Sequence, residues 1–127
     1  IKGPARIALV TDSMRAAGMP EGESILGSLK DGQRVIVEDG VAKLLDRTAF
    51  AGSVATTDRL VRTMLSLAGV NVTDAVRMMT ATPASIIGIN SRKGAIAPGM
   101  DADIVMFDEN INIQMTIVGG RSVYKKP

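Results

Sequence analysis

The chain has 127 residues and a mass of 13.3 kDa, a size that fits one ordinary domain. It contains no His and no Cys, and its net charge is only +2. We therefore expect no disulfide, no thiolate metal site, no nucleic-acid partner and no membrane partner, and we expect a cytoplasmic protein.

The first predicted element is a strand over Ile7–Val10, a continuous apolar run of the kind that is buried on both faces. Asp12 follows it closely. A barrel hydrolase presents a catalytic base at the C-terminal end of such a strand, whereas the simpler alternative is a carboxylate that ends a strand or caps a turn. Such a base usually works on a metal-bound water, and the metal is usually held by His. Because the chain lacks His, the sequence indicates one part of an enzyme's active site.

A loop over 13–23 and a small antiparallel meander follow. The predicted strands are separated by the pairs Asp31-Gly32 and Asp39-Gly40, which favour hairpin turns because Gly takes a positive φ without steric cost. The three predicted strands are Ser24–Leu29, Gln33–Glu38 and Val41–Leu45.

Two or three helices come next. The first is predicted from the helical spacing of apolar residues between Leu60 and Ala68. The second is predicted to begin at a Thr73 cap, with Asp74 near the positive end of the helix dipole. A third, short helix is predicted to have Pro83 at its first position and to end before Gly88.

The last part of the chain is predicted to be a run of strands. These are Asp103–Phe107, Ile111–Val118 and Arg121–Tyr124, and a two-residue turn at Gly119-Gly120 joins the last two. Helices followed by strands indicate more than one structural unit.

Motifs along nearly the whole chain resemble the N-acetylglucosamine-6-phosphate deacetylases of the amidohydrolase superfamily. The stretch Leu-Val-Thr-Asp-Ser-Met at 9–14, followed by Ala-Gly-Met-Pro-Glu-Gly at 17–22, is similar to the last barrel strand and loop of that family. Phe50–Ser53 resembles its Leu-Ala-Gly-Ser segment, with Phe in place of Leu. The helical segments 75–78 and 82–84 fit its penultimate helices, and the segments 93–105 and 116–124 resemble its ending, which many amidohydrolases share.

The resemblance implies an α/β fold: the C-terminal part of a (β/α)8 TIM barrel plus C-terminal strands of a small β-sandwich domain. Residues 1–92 would hold the last barrel strand, a β-meander insertion and the following helices, and residues 93–127 the sandwich strands. The resemblance implies that this chain is the C-terminal third of a longer protein, and the core-type strand so close to its start also indicates a cut chain. A complete small domain is the alternative.

The resemblance also implies a function and site residues. The intact enzyme would hydrolyse N-acetylglucosamine 6-phosphate to glucosamine 6-phosphate and acetate, as a homodimer that needs a divalent metal, Zn or Fe. The metal ligands and the groups that hold the phosphate would lie outside this chain. The position of Asp12 matches the family's general acid/base, and Phe50, Ala51 and Gly52 match its sugar-binding segment.

Some alternatives remain open on the sequence alone. Met14 and Met19 flank the loop after Asp12 and could line a sugar pocket, although Met more often fills gaps in a core. The segment at Gly52 could be a plain loop, with Ser53 a helix cap. The chain could also belong to another amidohydrolase of the dihydroorotase or hydantoinase type, or it could be a non-catalytic β-rich interaction module.

Overall fold

The computed structural model of the chain describes residues 2–127. The chain divides into two units, residues 11–57 and residues 2–10 with 58–127. The structure is mixed α/β, with two small antiparallel sheets of three strands each. Among the described residues, no helix is both long enough and apolar enough to cross a membrane.

The unit of residues 11–57 contains the predicted meander. Its strands, in the sheet order β1-β2-β3, are β1 (Gly22–Leu26), β2 (Gln33–Glu38) and β3 (Val41–Leu44). The turn at Asp39-Gly40 has φ of 53° and 70°, which is the geometry that an Asp-Gly hairpin favours. The prediction of three antiparallel strands is therefore confirmed, but the turn predicted at Asp31-Gly32 is wrong, because residues 27–32 form a longer connection in which Gly32 does not have a positive φ.

An aliphatic cluster on one face of this sheet forms the core of the unit. Val37 of β2 and Ala42 of β3 lie opposite each other in register, and both are buried. Ala16 from the preceding loop completes the buried cluster, and Met14 and Val54 pack against it. Small side chains on adjacent strands let the loop that follows Asp12 lie directly on the sheet.

The other unit contains three helices and the second sheet. The helices are α1 (Thr57–Leu67), α2 (Val72–Met79) and α3 (Ala81–Ile86), preceded by a 3-10 turn at Pro4–Arg6. The strands are β4 (Ile104–Phe107), β5 (Ile113–Val118) and β6 (Arg121–Lys125), in that order across the sheet. The hairpin at Gly119-Gly120 is confirmed, with φ of 55° and 78°.

The core of this second unit joins α1 and α2 to the loop before β5. Val61 and Ala75 are buried together with Ile111, which is only 3% exposed although its φ is 59°. A β-branched residue rarely adopts this conformation. Arg62 on α1 donates to the Ile111 carbonyl oxygen at 2.8 Å, and Asp58 pairs with the Arg62 guanidinium that makes this contact.

The predicted strand over Ile7–Val10 is not formed among the described residues. Within residues 2–127 this segment belongs to no sheet, although the Leu9 N–H donates to the Met78 carbonyl oxygen at 3.0 Å. Val10 is 74% exposed. A continuous apolar run becomes a strand only where neighbouring strands complete its hydrogen bonds, and the described residues place none beside it.

Two helix starts also differ from the prediction. Asn71, not Thr73, caps α2, since its side chain accepts from the Asp74 N–H at 2.9 Å. The third helix begins at Ala81, which places Pro83 at its third position. Both outcomes are physically reasonable, because Asn is among the best N-cap residues and Pro lacks only a first-turn N–H that has no partner within the helix.

Four charged side chains join residues 92–93 to residues 101–103, the segment directly before β4. Arg92 pairs with Asp101 at 2.7 Å, and Lys93 pairs with Asp101 at 2.8 Å and also with Asp103. Asp103 also accepts from the Gly119 N–H at 2.8 Å. The Lys93 ammonium lowers the pKa of both carboxyls, with help from Arg92 at Asp101 and from the Gly119 N–H at Asp103.

Candidate functional site

Asp12 lies on the surface of the meander unit in an unusual backbone conformation. Its φ is 46°, in the left-handed region, and the residue is exposed. Asp tolerates this region better than most residues, but the conformation still costs free energy, and it recurs at functional sites as well as in turns. The strain at Asp12 is therefore an observation from the backbone that agrees with a functional carboxylate.

The chain just after Asp12 pairs with the predicted sugar-binding segment. Ser13 forms a parallel β-bridge with Ser53, and the Met14 N–H donates to the Ser53 carbonyl oxygen at 2.8 Å. A Cβ added at Gly52 would lie 3.6 Å from the Met14 Cβ and 3.3 Å from the Leu26 Cδ1. The structure thus brings together two predicted segments that are about 40 positions apart in the sequence.

The three residues of the predicted sugar-binding segment have different surroundings. The Phe50 side chain is 78% exposed, and its backbone forms an antiparallel bridge with Lys43. Ala51 is 3% exposed, and its N–H donates to the Ala42 carbonyl oxygen at 2.9 Å. Gly52 is exposed and has a φ of 87°. The Phe50 ring and the Gly52 backbone are therefore accessible to a ligand, whereas the Ala51 methyl group is part of the packing.

The two methionines near the site have different environments. Met14 packs against the core cluster of the meander unit, as expected for a gap-filling residue. Met19 is 65% exposed and does not belong to that core. The interpretation of these methionines as gap-filling core residues therefore holds for Met14 and not for Met19.

Sequence reasoning missed the part that serines play beside Asp12. The Ser13 hydroxyl donates to the Ala55 carbonyl oxygen, and the Ser53 hydroxyl accepts from the Ala55 N–H at 3.1 Å. Since α1 begins at Thr57, Ser53 forms a turn before the helix and is not its cap. The sequence indicated this contact only through a Ser directly after Asp12 and a second Ser in the segment 50–53.

Two basic residues of the meander unit pair with the Glu38 carboxylate on β2. Arg47 donates to Glu38 at 2.8 Å, and Lys43 donates to the same carboxylate at 3.1 Å. These two hydrogen bonds lower the pKa of the Glu38 carboxyl, and the carboxylate in turn raises the pKa of Lys43. These contacts tie the turn after β3 to β2, away from the Ser13–Ser53 bridge.

The described residues do not provide a metal site. Residues 2–127 contain no group of three or more His, Asp, Glu or Cys side chains that could hold an ion. The sequence has no His and no Cys, the usual ligands of Zn in proteins. The donor set therefore does not fit a resident metal within this chain.

The sequence belongs to the Amidohydrolase family, whose profile matches residues 5–123. It is 38% identical to the N-acetylglucosamine-6-phosphate deacetylase of Lysinibacillus sphaericus over 95% of this chain. It is 34% identical to the N-acetylgalactosamine-6-phosphate deacetylase of Escherichia coli O157:H7 over 91% of this chain. The crystal structure of N-acetylglucosamine-6-phosphate deacetylase from Thermotoga maritima superposes with a TM-score of 0.82 at 33% identity over 97% of this chain.

These matches confirm the resemblance to the deacetylases, and they favour it over another amidohydrolase or an interaction module. The chain spans 30%, 29% and 32%, respectively, of the length of these three proteins. Similarity in both sequence and backbone extends across both units, so the match does not depend on the widely shared ending alone.

Proposed function

We propose that this chain is the C-terminal portion of a metal-dependent deacetylase that hydrolyses N-acetylglucosamine 6-phosphate to glucosamine 6-phosphate and acetate. The match to the deacetylase from Thermotoga maritima over 97% of this chain carries the proposal. The exposed position of Asp12 and its left-handed backbone agree with it.

The proposal includes a finer assignment of the fold. Residues 7–12 would be the last strand of a (β/α)8 barrel, and their exposed side would pair with barrel strands outside this chain. Residues 1–92 would belong to the barrel with its meander insertion. Residues 93–127, which include β4, β5 and β6, would be strands of a β-sandwich. The exposure of Val10 supports the barrel assignment, because a buried-type strand without neighbours leaves apolar side chains uncovered.

Asp12 would act as the general acid/base. Cleavage of an amide needs a nucleophilic water and a proton donor for the departing amine. A carboxylate beside the scissile bond can take the proton from the attacking water and then deliver it to the nitrogen. Because both the base and the acid steps need an accessible carboxylate, the surface position of Asp12 suits the role.

Phe50, Ala51 and Gly52 would contribute to the sugar site in different ways. The exposed Phe50 ring would offer an apolar face to the sugar, and the exposed Gly52 would offer its backbone. Ala51 would act by packing, since its side chain is buried. The substrate would be a small amino-sugar phosphate.

The divalent metal, Zn or Fe, would be held by ligands outside this chain, and we assign no step through it. The intact enzyme would be a cytoplasmic homodimer. The fold of the described residues and their similarity to deacetylases support the enzyme class, and the metal and the dimer follow from the resemblance.

The test is Asp12→Asn in the natural full-length protein that carries this sequence. We expect turnover to fall by about 100-fold or more, as for loss of a general acid/base, while the bound metal measured by elemental analysis stays unchanged. Asp39→Asn is the matched control. Asp39 is also an exposed Asp, with a φ of 53°, but it lies in the β2–β3 hairpin. Near-normal turnover in Asp12→Asn, or an equal loss in Asp39→Asn, would refute the assignment.

A further inference from the structure

The orientation of the Asp12 carboxylate depends on its neighbours. Its φ of 46° is unfavourable for a residue with a side chain, so the surrounding contacts must hold the backbone there. Asp12 is exposed, and packing on its side chain does not fix it. Among the described residues, the contacts closest to this backbone are those of the next residues of the chain, Ser13 and Met14.

Ser13 makes those contacts. Its backbone bridges to Ser53, and its hydroxyl donates to the Ala55 carbonyl oxygen. Next to it, the Met14 N–H donates to the Ser53 carbonyl oxygen at 2.8 Å. The Ser53 hydroxyl accepts from the Ala55 N–H at 3.1 Å, so the acceptor segment is itself held in a fixed turn. This network joins residues 13–14 to residues 53–55, directly after the candidate base.

Only one contact between the two segments depends on a particular side chain at position 13. Any residue there could form the backbone bridge, whereas the hydrogen bond to Ala55 requires a hydroxyl donor. Ser13 is exposed, so water can satisfy the Ala55 carbonyl oxygen if the hydroxyl is removed. Loss of the hydroxyl therefore removes a geometric constraint without leaving a buried polar group unsatisfied.

We propose that Ser13 is a positioning residue, whose hydroxyl bond to Ala55 fixes the Asp12 backbone and thereby aims its carboxylate at the scissile amide. This inference rests on the function proposed above. A proton-transfer group works only within hydrogen-bond reach of the reacting atoms, and a displacement of about 1 Å can cost about 100-fold in rate. Ser13 would thus act on turnover and not on substrate binding.

The test compares three variants of the natural full-length protein that carries this sequence. Ser13→Ala removes the hydroxyl, and Ser13→Thr keeps it. Ser66→Ala is the matched control, since the exposed Ser66 hydroxyl also donates to a backbone carbonyl oxygen, that of Arg62 at 2.9 Å, but on α1. Each variant is measured for kcat and KM with N-acetylglucosamine 6-phosphate, for thermal midpoint, and for hydrogen exchange at the Met14 amide by mass spectrometry.

We expect Ser13→Ala to lower kcat by about tenfold or more, with KM within about twofold of wild type and the thermal midpoint unchanged. The Met14 amide should exchange faster in this variant, Ser13→Thr should restore both values, and Ser66→Ala should change neither. Wild-type kcat in Ser13→Ala, or no rescue by Ser13→Thr, would overturn the proposal. If the wild-type protein released no acetate, the proposed function would fail, and unchanged Met14 exchange in Ser13→Ala would separately overturn the structural role of Ser13.

Discussion

Gly94 lies against α3 where even one added methyl group has no room. A Cβ at this position would lie 2.9 Å from both the Ala81 Cα and the Ala84 Cβ, and 3.1 Å from the Thr80 carbonyl oxygen. These atoms are backbone or the first atom of a short side chain, so none can rotate away. Overpacking of this kind costs about 1–3 kcal/mol, and the positive φ of 97° adds about 1–2 kcal/mol for any residue with a Cβ.

We therefore expect Gly94→Ala to destabilise the protein by about 2–5 kcal/mol. The control is Gly99→Ala, because Gly99 has a similar φ of 85° but nothing within 4 Å of its added Cβ. The control should lose only the backbone part, about 1–2 kcal/mol. Urea denaturation followed by circular dichroism measures both variants, and the midpoint of Gly94→Ala should lie clearly below that of Gly99→Ala. Equal midpoints would refute the packing of this loop on α3.

Two further predictions concern stability. The pKa values of Asp101 and Asp103 are lowered from the ordinary value of 3.8, so the ionised carboxylates stabilise the fold above pH 3.8. This stability is lost as the pH falls below about 4 and through the lowered pKa values of the folded state. Urea midpoints should therefore fall less on acidification in Asp103→Asn than in wild type, and a parallel fall would contradict the pairing. Asn71→Ala should cost about 1 kcal/mol by removing the α2 cap, whereas Asn90→Ala at an exposed position should be nearly neutral in the same assay.

Local patterns predicted much of the fold. The pair Asp39-Gly40 specifies its own turn, since Asp and Gly are among the residues that adopt positive φ most readily, and the two strands beside it then pair in the expected register. The Gly119-Gly120 hairpin follows from the same physics. In these elements the information lies within a few neighbouring residues.

The features that sequence reasoning missed depend on distant partners. Ile7–Val10 has the pattern of a buried strand, but a strand needs a neighbour, and the described residues supply none. The choice of Asn71 over Thr73 as a cap depends on where α2 enters its packing with Val61 and Ile111. The bridge from Ser13 to Ser53 joins segments about 40 residues apart, and no local preference encodes such a contact.

The candidate site was predictable only in part. Family resemblance singled out Asp12, Phe50, Ala51 and Gly52 as site residues, and their chemistry stays a prediction. Nothing in the sequence indicated that the Ala51 side chain is buried while Phe50 is exposed. The left-handed backbone of Asp12 and its serine contacts likewise became visible only in three dimensions.

Acetate release from N-acetylglucosamine 6-phosphate by the natural full-length protein that carries this sequence is the most direct test of the account. N-acetylgalactosamine 6-phosphate is assayed in parallel, because one of the similar proteins is named for that epimer. We predict stoichiometric formation of acetate and glucosamine 6-phosphate, with the glucosamine epimer as the better substrate. Release of no acetate from either sugar phosphate, by protein shown to be folded and to contain metal, would contradict the central claim.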